Sequence, residues 1–83
     1  MILGAYAIYD KLTGYMTPNF QANDNFAIRS FEHELKSSDM SIISAKPEDF
    51  SLCRLGSYDT DTGVLHPEPI VILVDAGQLL RKE

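Results

Sequence analysis

The chain has 83 residues, of which 45% are hydrophobic, and it carries a formal net charge of −5. This length fits a single domain over residues 1–83, and the apolar fraction suffices for a core. Phosphate contacts supply most nucleic-acid affinity, and here 7 basic residues are scattered among 12 acidic ones. The composition therefore disfavours tight DNA binding and favours a protein partner. So small a domain leaves both a monomer and a homo-oligomer open.

The cysteine count and the first residues indicate the cellular compartment of the protein. A single cysteine, Cys53, cannot form an internal disulfide, and its apolar neighbours predict a buried thiol. Residues 1–6 lack the basic start of a signal peptide, and no apolar run approaches the length of a membrane span. We expect a cytosolic protein without membrane contact.

A motif that occurs twice predicts how the chain turns. Residues 9–14 and 58–63 both read Tyr-Asp-x-x-Thr-Gly between apolar, β-prone segments. In such a turn the Asp side chain accepts backbone hydrogen bonds, and the Gly takes a positive φ. We predict a β-hairpin at each motif. The first joins a strand over 2–9 to a short strand over 15–17, which Pro18 interrupts.

A helix is predicted from about residue 24 to residue 36. Asn23 is a suitable N-cap, and Asp24 places a negative charge in the first turn. One apolar stripe follows at helical spacing: Ala27, Ile28, Phe31 and Leu35. Phe26 lies off the centre of this stripe. We expect it to pack at the rim of the core, with an exposed partner contact as the alternative.

The second half continues with shorter elements. Residues 40–44 predict a short strand, 47–49 a single helical turn beginning at proline, and 50–58 a longer strand. After the second hairpin turn, Pro67 and Pro69 are expected to delay strand pairing.

The run Ile-Val-Ile-Leu-Val at 70–74 is the most apolar in the chain. We predict that it forms a central strand; at an edge it would instead be an association site. Residues 75–80 then predict a last helical turn. The order β-β-α-β-β-β predicts an α+β fold: a small antiparallel sheet built from two β-hairpins, with one amphipathic helix packed on one face.

The residues that could support chemistry form no catalytic or metal-binding pattern. Counted from Asp59, the closing position of a calcium loop is Ile70 rather than a glutamate. His33 and His66 share no metal-ligand spacing with each other or with Cys53. A nucleophile elbow, a phosphate loop and a dinucleotide fingerprint are all absent from the sequence. We therefore expect no enzyme activity, no cofactor and no metal.

Three segments share their order and spacing with a known family. They are Asn-Asp-x-x-Ala-Ile-Arg-x-Phe at 23–31, Pro-Glu-Asp-Phe-x-Leu at 47–52 and Leu-Gly-x-Tyr-Asp-x-Asp-Thr-Gly at 55–63. Together with the opening strand and the Thr-Pro at 17–18, the chain resembles the small nonstructural protein of gokushoviruses over residues 3–74. Gokushoviruses are microvirus-type bacteriophages with single-stranded DNA genomes.

The resemblance implies a phage-encoded, non-virion protein of the host bacterial cytoplasm that is linked to genome replication. A small microvirus protein offers the analogy, because it diverts replication from duplex synthesis to single-strand synthesis and packaging. Some family members are labelled DNA-binding, which the net charge of −5 does not support. The shared motifs transfer no catalytic residue.

We therefore expect an accessory factor that acts by stoichiometric protein contact during single-stranded DNA production. Its partner would be the phage replication initiator, a host replication protein or the procapsid. The candidate contact residues are Phe26, Arg29 and His33 on the outer side of the helix, with Asp59 and Asp61 at the hairpin tip. For Arg29 the structural alternative is a fixed salt bridge to Asp49 or to a carboxylate at the sheet edge.

Two other classes of function stay open. A single-stranded DNA-binding protein would stack nucleobases on aromatic residues such as Tyr6, Tyr15 and Phe20. Folding would also have to bring together basic residues such as Lys11 and Arg54. A self-assembling structural module would associate through residues 70–74.

Overall fold

The computed structural model describes residues 1–35 and 46–81, with side chains of the last helix described only to residue 79. In chain order the elements are β1 (Ile2–Asp10), β2 (Gly14–Tyr15), β3 (Asn19–Gln21), α1 (Asp24–Leu35), a 3₁₀ turn (Pro47–Asp49), β4 (Phe50–Asp59), β5 (Val64–Asp75) and α2 (Ala76–Arg81). The predicted helix, the single turn and the last helical turn are therefore confirmed. The strand predicted at 40–44 lies outside the described residues.

Both copies of the repeated motif form hairpin turns of the expected kind. Asp10 accepts a hydrogen bond from the backbone N–H of Leu12 at 2.9 Å, and Asp59 accepts the equivalent bond from Asp61 at 2.9 Å. Gly14 has a φ of 100° and Gly63 a φ of 76°. These angles lie in the left-handed region, where a side chain is strained. The repeat thus encodes two turns of the same chemistry.

The sheet is antiparallel throughout and has the order β2-β1-β4-β5, with β3 also pairing with β1. β2 and β3 lie along different parts of β1, because Tyr15 pairs with Tyr9 whereas Phe20 pairs with Ala5. The sheet curls into a half-barrel. The fold is α+β in this broad sense, with the second hairpin much longer than the first.

The position predicted for residues 70–74 is wrong. They belong to β5, which among the described residues pairs only with β4 and so lies at an edge of the sheet. The proposed delay of pairing at Pro67 and Pro69 is also wrong, since β5 begins at Val64 and Pro67 pairs with Gly56. An edge strand tolerates proline because one side of its backbone needs no partner. The register nevertheless shifts around 68–70, where β5 bulges away from β4.

The core lies between α1, α2 and one face of the sheet. Phe31 and Leu35 of α1 are buried against sheet residues that include Tyr6 and Leu52. Leu79 of α2 closes the same cluster. The apolar stripe of α1 is confirmed, with Ile28 partly buried at its margin.

Phe26 does not pack at the rim of the core, as the sequence had suggested. Its side chain is 53% exposed, whereas that of Phe31 on the same helix is 3% exposed. The N-cap explains the difference: the Asn23 side chain accepts a hydrogen bond from the Phe26 backbone N–H at 2.8 Å. Phe26 therefore lies in the first turn, and the helix rotation that buries Phe31 and Leu35 turns it outward.

A polar cluster ties the start of α1 to the middle of the sheet. The Tyr6 hydroxyl donates to Asp24 Oδ1 at 2.6 Å, and Arg54 donates to the same oxygen at 2.7 Å. Arg54 Nε also lies 3.5 Å from Glu68 Oε1. A Cβ on Gly4 would overlap the Tyr6 hydroxyl, so this arrangement requires glycine at that position.

The cluster shifts two pKa values in opposite directions. Burial, followed by the hydrogen bond to Asp24, raises the pKa of Tyr6 from 10.0 to about 12, with Arg54 opposing the shift. The Tyr6 hydroxyl and the Arg54 guanidinium lower the pKa of Asp24, against a smaller effect of burial. The native state therefore favours protonated Tyr6 and ionised Asp24.

Two phenylalanines on one helix provide a matched pair of substitutions. We expect Phe31→Ala to lower the free energy of unfolding by about 3–5 kcal/mol, because it empties a buried site. Phe26→Ala removes a side chain that is 53% exposed and should cost less than about 1 kcal/mol. Urea denaturation measures both values, and similar losses in the two variants would contradict the placement of α1.

The ionisation of Tyr6 should make the free energy of unfolding depend on pH in the alkaline range. Its pKa is higher in the folded chain than in the unfolded chain, so its contribution is complete below pH 10 and is lost as the pH rises towards about 12. We expect the free energy of unfolding of the wild-type protein to fall over this pH range. That of the Tyr6→Phe variant should fall less steeply. Tyr15→Phe is the control, because it leaves Tyr6 in place. Equal slopes in both variants would contradict a protonated, buried Tyr6.

Candidate functional site

One side of α1 carries exposed side chains of several chemical types around a shallow groove. We define the outer face of α1 as the five residues that line this groove of about 400 Å³: Phe26, Arg29, Ser30, His33 and Glu34. Phe26, Arg29 and His33 are spaced three and four residues apart, which places them on one side of a helix. The structure therefore brings together the three helix residues that the sequence singled out.

Arg29 is exposed, and within the described residues it forms no salt bridge with Asp49. Asp49 is instead in the 3₁₀ turn, where its carbonyl accepts a hydrogen bond from Lys11 N–H at 3.0 Å. The salt bridge expected between Arg29 and Asp49 is thus wrong, and among the described residues Arg29 has none with a carboxylate at the sheet edge either. No described residue pairs with its guanidinium, which lies with Phe26 along the same groove, and aromatic residues and arginine often anchor protein interfaces.

The two acidic candidates at the second hairpin have local structural partners. Asp59 accepts the backbone N–H of Asp61, and this bond is the main cause of its lowered pKa. The Asp61 carboxylate lies 2.9 Å from the Met1 amino group, and its side chain is 82% exposed. The structure thus gives both carboxylates a role in the turn. Their role in binding a partner stays a prediction.

Two of the residues expected to bind single-stranded DNA, Tyr6 and Arg54, are already engaged within the protein. Tyr6 is 0% exposed, so the expectation that it offers a stacking platform is wrong. Arg54 is bound to Asp24 and Glu68, which neutralise the charge that a phosphate would need. Tyr15 and Phe20 are exposed, but each already contacts a second ring, Tyr9 and Tyr58 respectively.

Cys53 is buried at 1% exposure, as predicted, and burial followed by the charge of Asp75 raises the pKa of its thiol. In the described ranges, 1–35 and 46–81, no group of three or more histidine, cysteine or acidic residues could hold a metal ion. No helix in the part of the chain that the structure describes is long and apolar enough to cross a membrane.

Sequence reasoning missed an apolar groove of about 360 Å³ along the second hairpin. The lining residues are contributed by β1, β3, β4 and β5 and the segment before β3: Ala5, Pro18, Phe20, Leu55, Gly56, Ser57, Leu65, His66 and Pro67. The only sequence signal was the alternation of Leu65 and Pro67 on one face of a strand. This signal is interpretable only once β5 is known to begin at Val64.

Comparison with known proteins agrees with the resemblance noted from the motifs. A family model described as "Phage ORF5 protein" matches residues 3–79. The chain is 33% identical over 79 residues to "Protein ORF5" of Chlamydia phage 1, a match that covers 88% of this chain and 82% of that protein. No solved structure matches. The chain therefore belongs to the phage ORF5 protein family and is a bacteriophage protein of the gokushovirus type.

Proposed function

We propose that this protein is a nonstructural accessory factor that acts in single-stranded DNA replication or packaging by stoichiometric contact with another protein. The contact surface is the outer face of α1. The targets are the phage replication initiator, a host replication protein or the procapsid, met in the cytoplasm of the infected bacterium. The action is occlusion or recruitment of the partner, without catalytic turnover.

The observation that carries this proposal is the exposure of Phe26. A phenylalanine that is 53% exposed gains free energy when a partner covers it. Complete burial of such a side chain is worth roughly 1.5–3 kcal/mol, so covering the exposed half is worth about 1 kcal/mol. The chain folds without this gain, because Phe31 and Leu35 already fill the core beneath α1.

The neighbours of Phe26 favour a protein over other ligands. Arg29 supplies a planar donor for carboxylates, and His33 adds an imidazole one turn further along the helix. Interfaces are enriched in aromatic residues and arginine, and a few such residues supply most of the binding energy. A groove in the side of a short helix suits a protein surface that covers it from above.

The family assignment supports the phage context but is coarser than the proposal. It shows a phage ORF5 protein, and the analogy with the small microvirus protein extends this to genome replication. The acidic charge of −5 fits an action on replication proteins better than direct binding to the phosphate backbone.

Substitutions on the outer face of α1 test the proposal in infected cells. We expect Phe26→Ala and Arg29→Ala to weaken partner binding by about five- to tenfold each, since each removes roughly 1–1.4 kcal/mol of contact. The ratio of single-stranded to double-stranded phage DNA should then fall. A photo-crosslinking residue at position 26 should trap one of the three named targets.

Leu12 provides the control, because it is 83% exposed on the first hairpin turn, outside the groove. Leu12→Ala should leave the DNA ratio unchanged, and a crosslinker at position 12 should not trap the target. Melting temperatures of all variants establish that they fold. An unchanged DNA ratio in Phe26→Ala and Arg29→Ala, with both proteins folded, would refute the proposed surface.

Direct single-stranded DNA binding is the competing function, and a salt titration separates the two. We expect no measurable affinity for a fluorescent oligonucleotide even at low ionic strength, because Arg54 is neutralised and the other basic residues are scattered along the sequence. Affinity that appears at low salt and falls steeply as salt is added would favour the DNA-binding alternative.

A further inference from the structure

β5 exposes apolar side chains along nearly its whole length. Ile70, Val71 and Ile72 are 53%, 50% and 63% exposed, and Val64 and Leu65 are 44% and 60% exposed. Val71 and Ile72 follow one another in the paired strand, and successive side chains point to opposite faces of a sheet. Their exposure means that the described residues leave both faces of β5 uncovered there. An edge strand with so much exposed apolar surface indicates a site of association.

The apolar groove adjoins the same strand. Leu65 and Pro67 form one wall, and Phe20 and Leu55 contribute to the rest. Leu65 of β5 pairs with Tyr58 of β4, which in turn pairs with Leu3 of β1. In the same way, Ile72 pairs with Cys53, which pairs with Ala7. Leu3 and Ala7 share a face of β1, so Ile72 lies on the same face of the sheet as the groove.

This surface has little charge with which to recognise a charged partner. From Val64 to Val74 the only acidic residue is Glu68, and the strand has no lysine or arginine. Glu68 is already held by Arg54 at 3.5 Å and by the Ser57 hydroxyl at 3.4 Å. The complement of such a strip is another uncharged apolar strip, and this chain provides one itself.

We propose that the protein forms a two-fold symmetric dimer through β5. The two β5 strands lie antiparallel, with the axis between Glu68 and Pro69. Ile72 of each copy then packs beside Leu65 at the groove of the second copy, and Ile70 packs beside Pro67. In this register Val64 lies opposite Leu73 and Val71 opposite His66, and Glu68 lies opposite proline rather than a second glutamate.

The contact is side-chain packing rather than a continuous ladder of backbone bonds. Pro67 and Pro69 lack N–H donors, and the bulge at 68–70 interrupts the strand at the axis. Ile70 lies in this bulge and its side chain is 53% exposed, which leaves it accessible to a second copy. This dimer does not depend on the proposed function, because the outer face of α1 contributes no residue to it.

Reciprocal charged variants test the arrangement. The wild-type protein should have a mass of twice 9.3 kDa in analytical ultracentrifugation at high concentration. Ile72→Glu and Leu65→Lys should each raise the dissociation constant by at least about tenfold, since each places a charge in both apolar contacts. A mixture of the two variants should dimerise again, because the mixed dimer has one Glu–Lys contact and one native contact.

Leu12→Glu is the matched control, since it adds a charge at an exposed leucine outside β5 and should leave the dimer intact. Circular dichroism melting establishes that each variant folds, as expected for side chains that are 60% or more exposed. A monomer at all concentrations up to millimolar, growth beyond the dimer, dimeric Ile72→Glu or a mixture that stays monomeric would each overturn the proposal.

Discussion

The hydroxyl of Tyr6 determines much of this structure. It lies beneath the start of α1, donates to Asp24, and receives a hydrogen bond from Arg54 at 3.1 Å. The cluster thereby attaches the first turn of the helix to the two central strands. The attachment fixes the start of α1 on the sheet, and the burial of Phe31 and Leu35 on the sheet side then leaves Phe26 outward. The Asp24 carboxylate in this cluster also neutralises the charge of Arg54 within the protein.

Local chemistry explains why much of the fold could be predicted. The two Tyr-Asp-x-x-Thr-Gly turns depend on contacts within six residues, so the sequence is sufficient to identify them. The same holds for α1, whose cap at Asn23 and stripe from Ala27 to Leu35 are both local. The outward placement of Arg29 and His33 follows from that periodicity.

The features that sequence reasoning missed are non-local. The apolar run at 70–74 suits a central strand equally well, and it is the pairing of β1 with β4 that leaves β5 at the edge of the sheet in the part of the chain that the structure describes. Tyr6 looked available for stacking because nothing near it in sequence reveals that Asp24 and Arg54 converge on its hydroxyl. The Asn23 cap places Phe26 in the first turn, but whether a residue there meets the sheet depends on how α1 docks, which is not a local property.

The position of Cys53 has a practical consequence. Its thiol is the only one in the chain and lies in β4, the strand that pairs with both β1 and β5. Burial and its raised pKa leave little thiolate, so a labelling reagent reacts only when these strands separate. The rate of labelling thus reports the opening of the sheet, and the native sequence already contains its own kinetic probe.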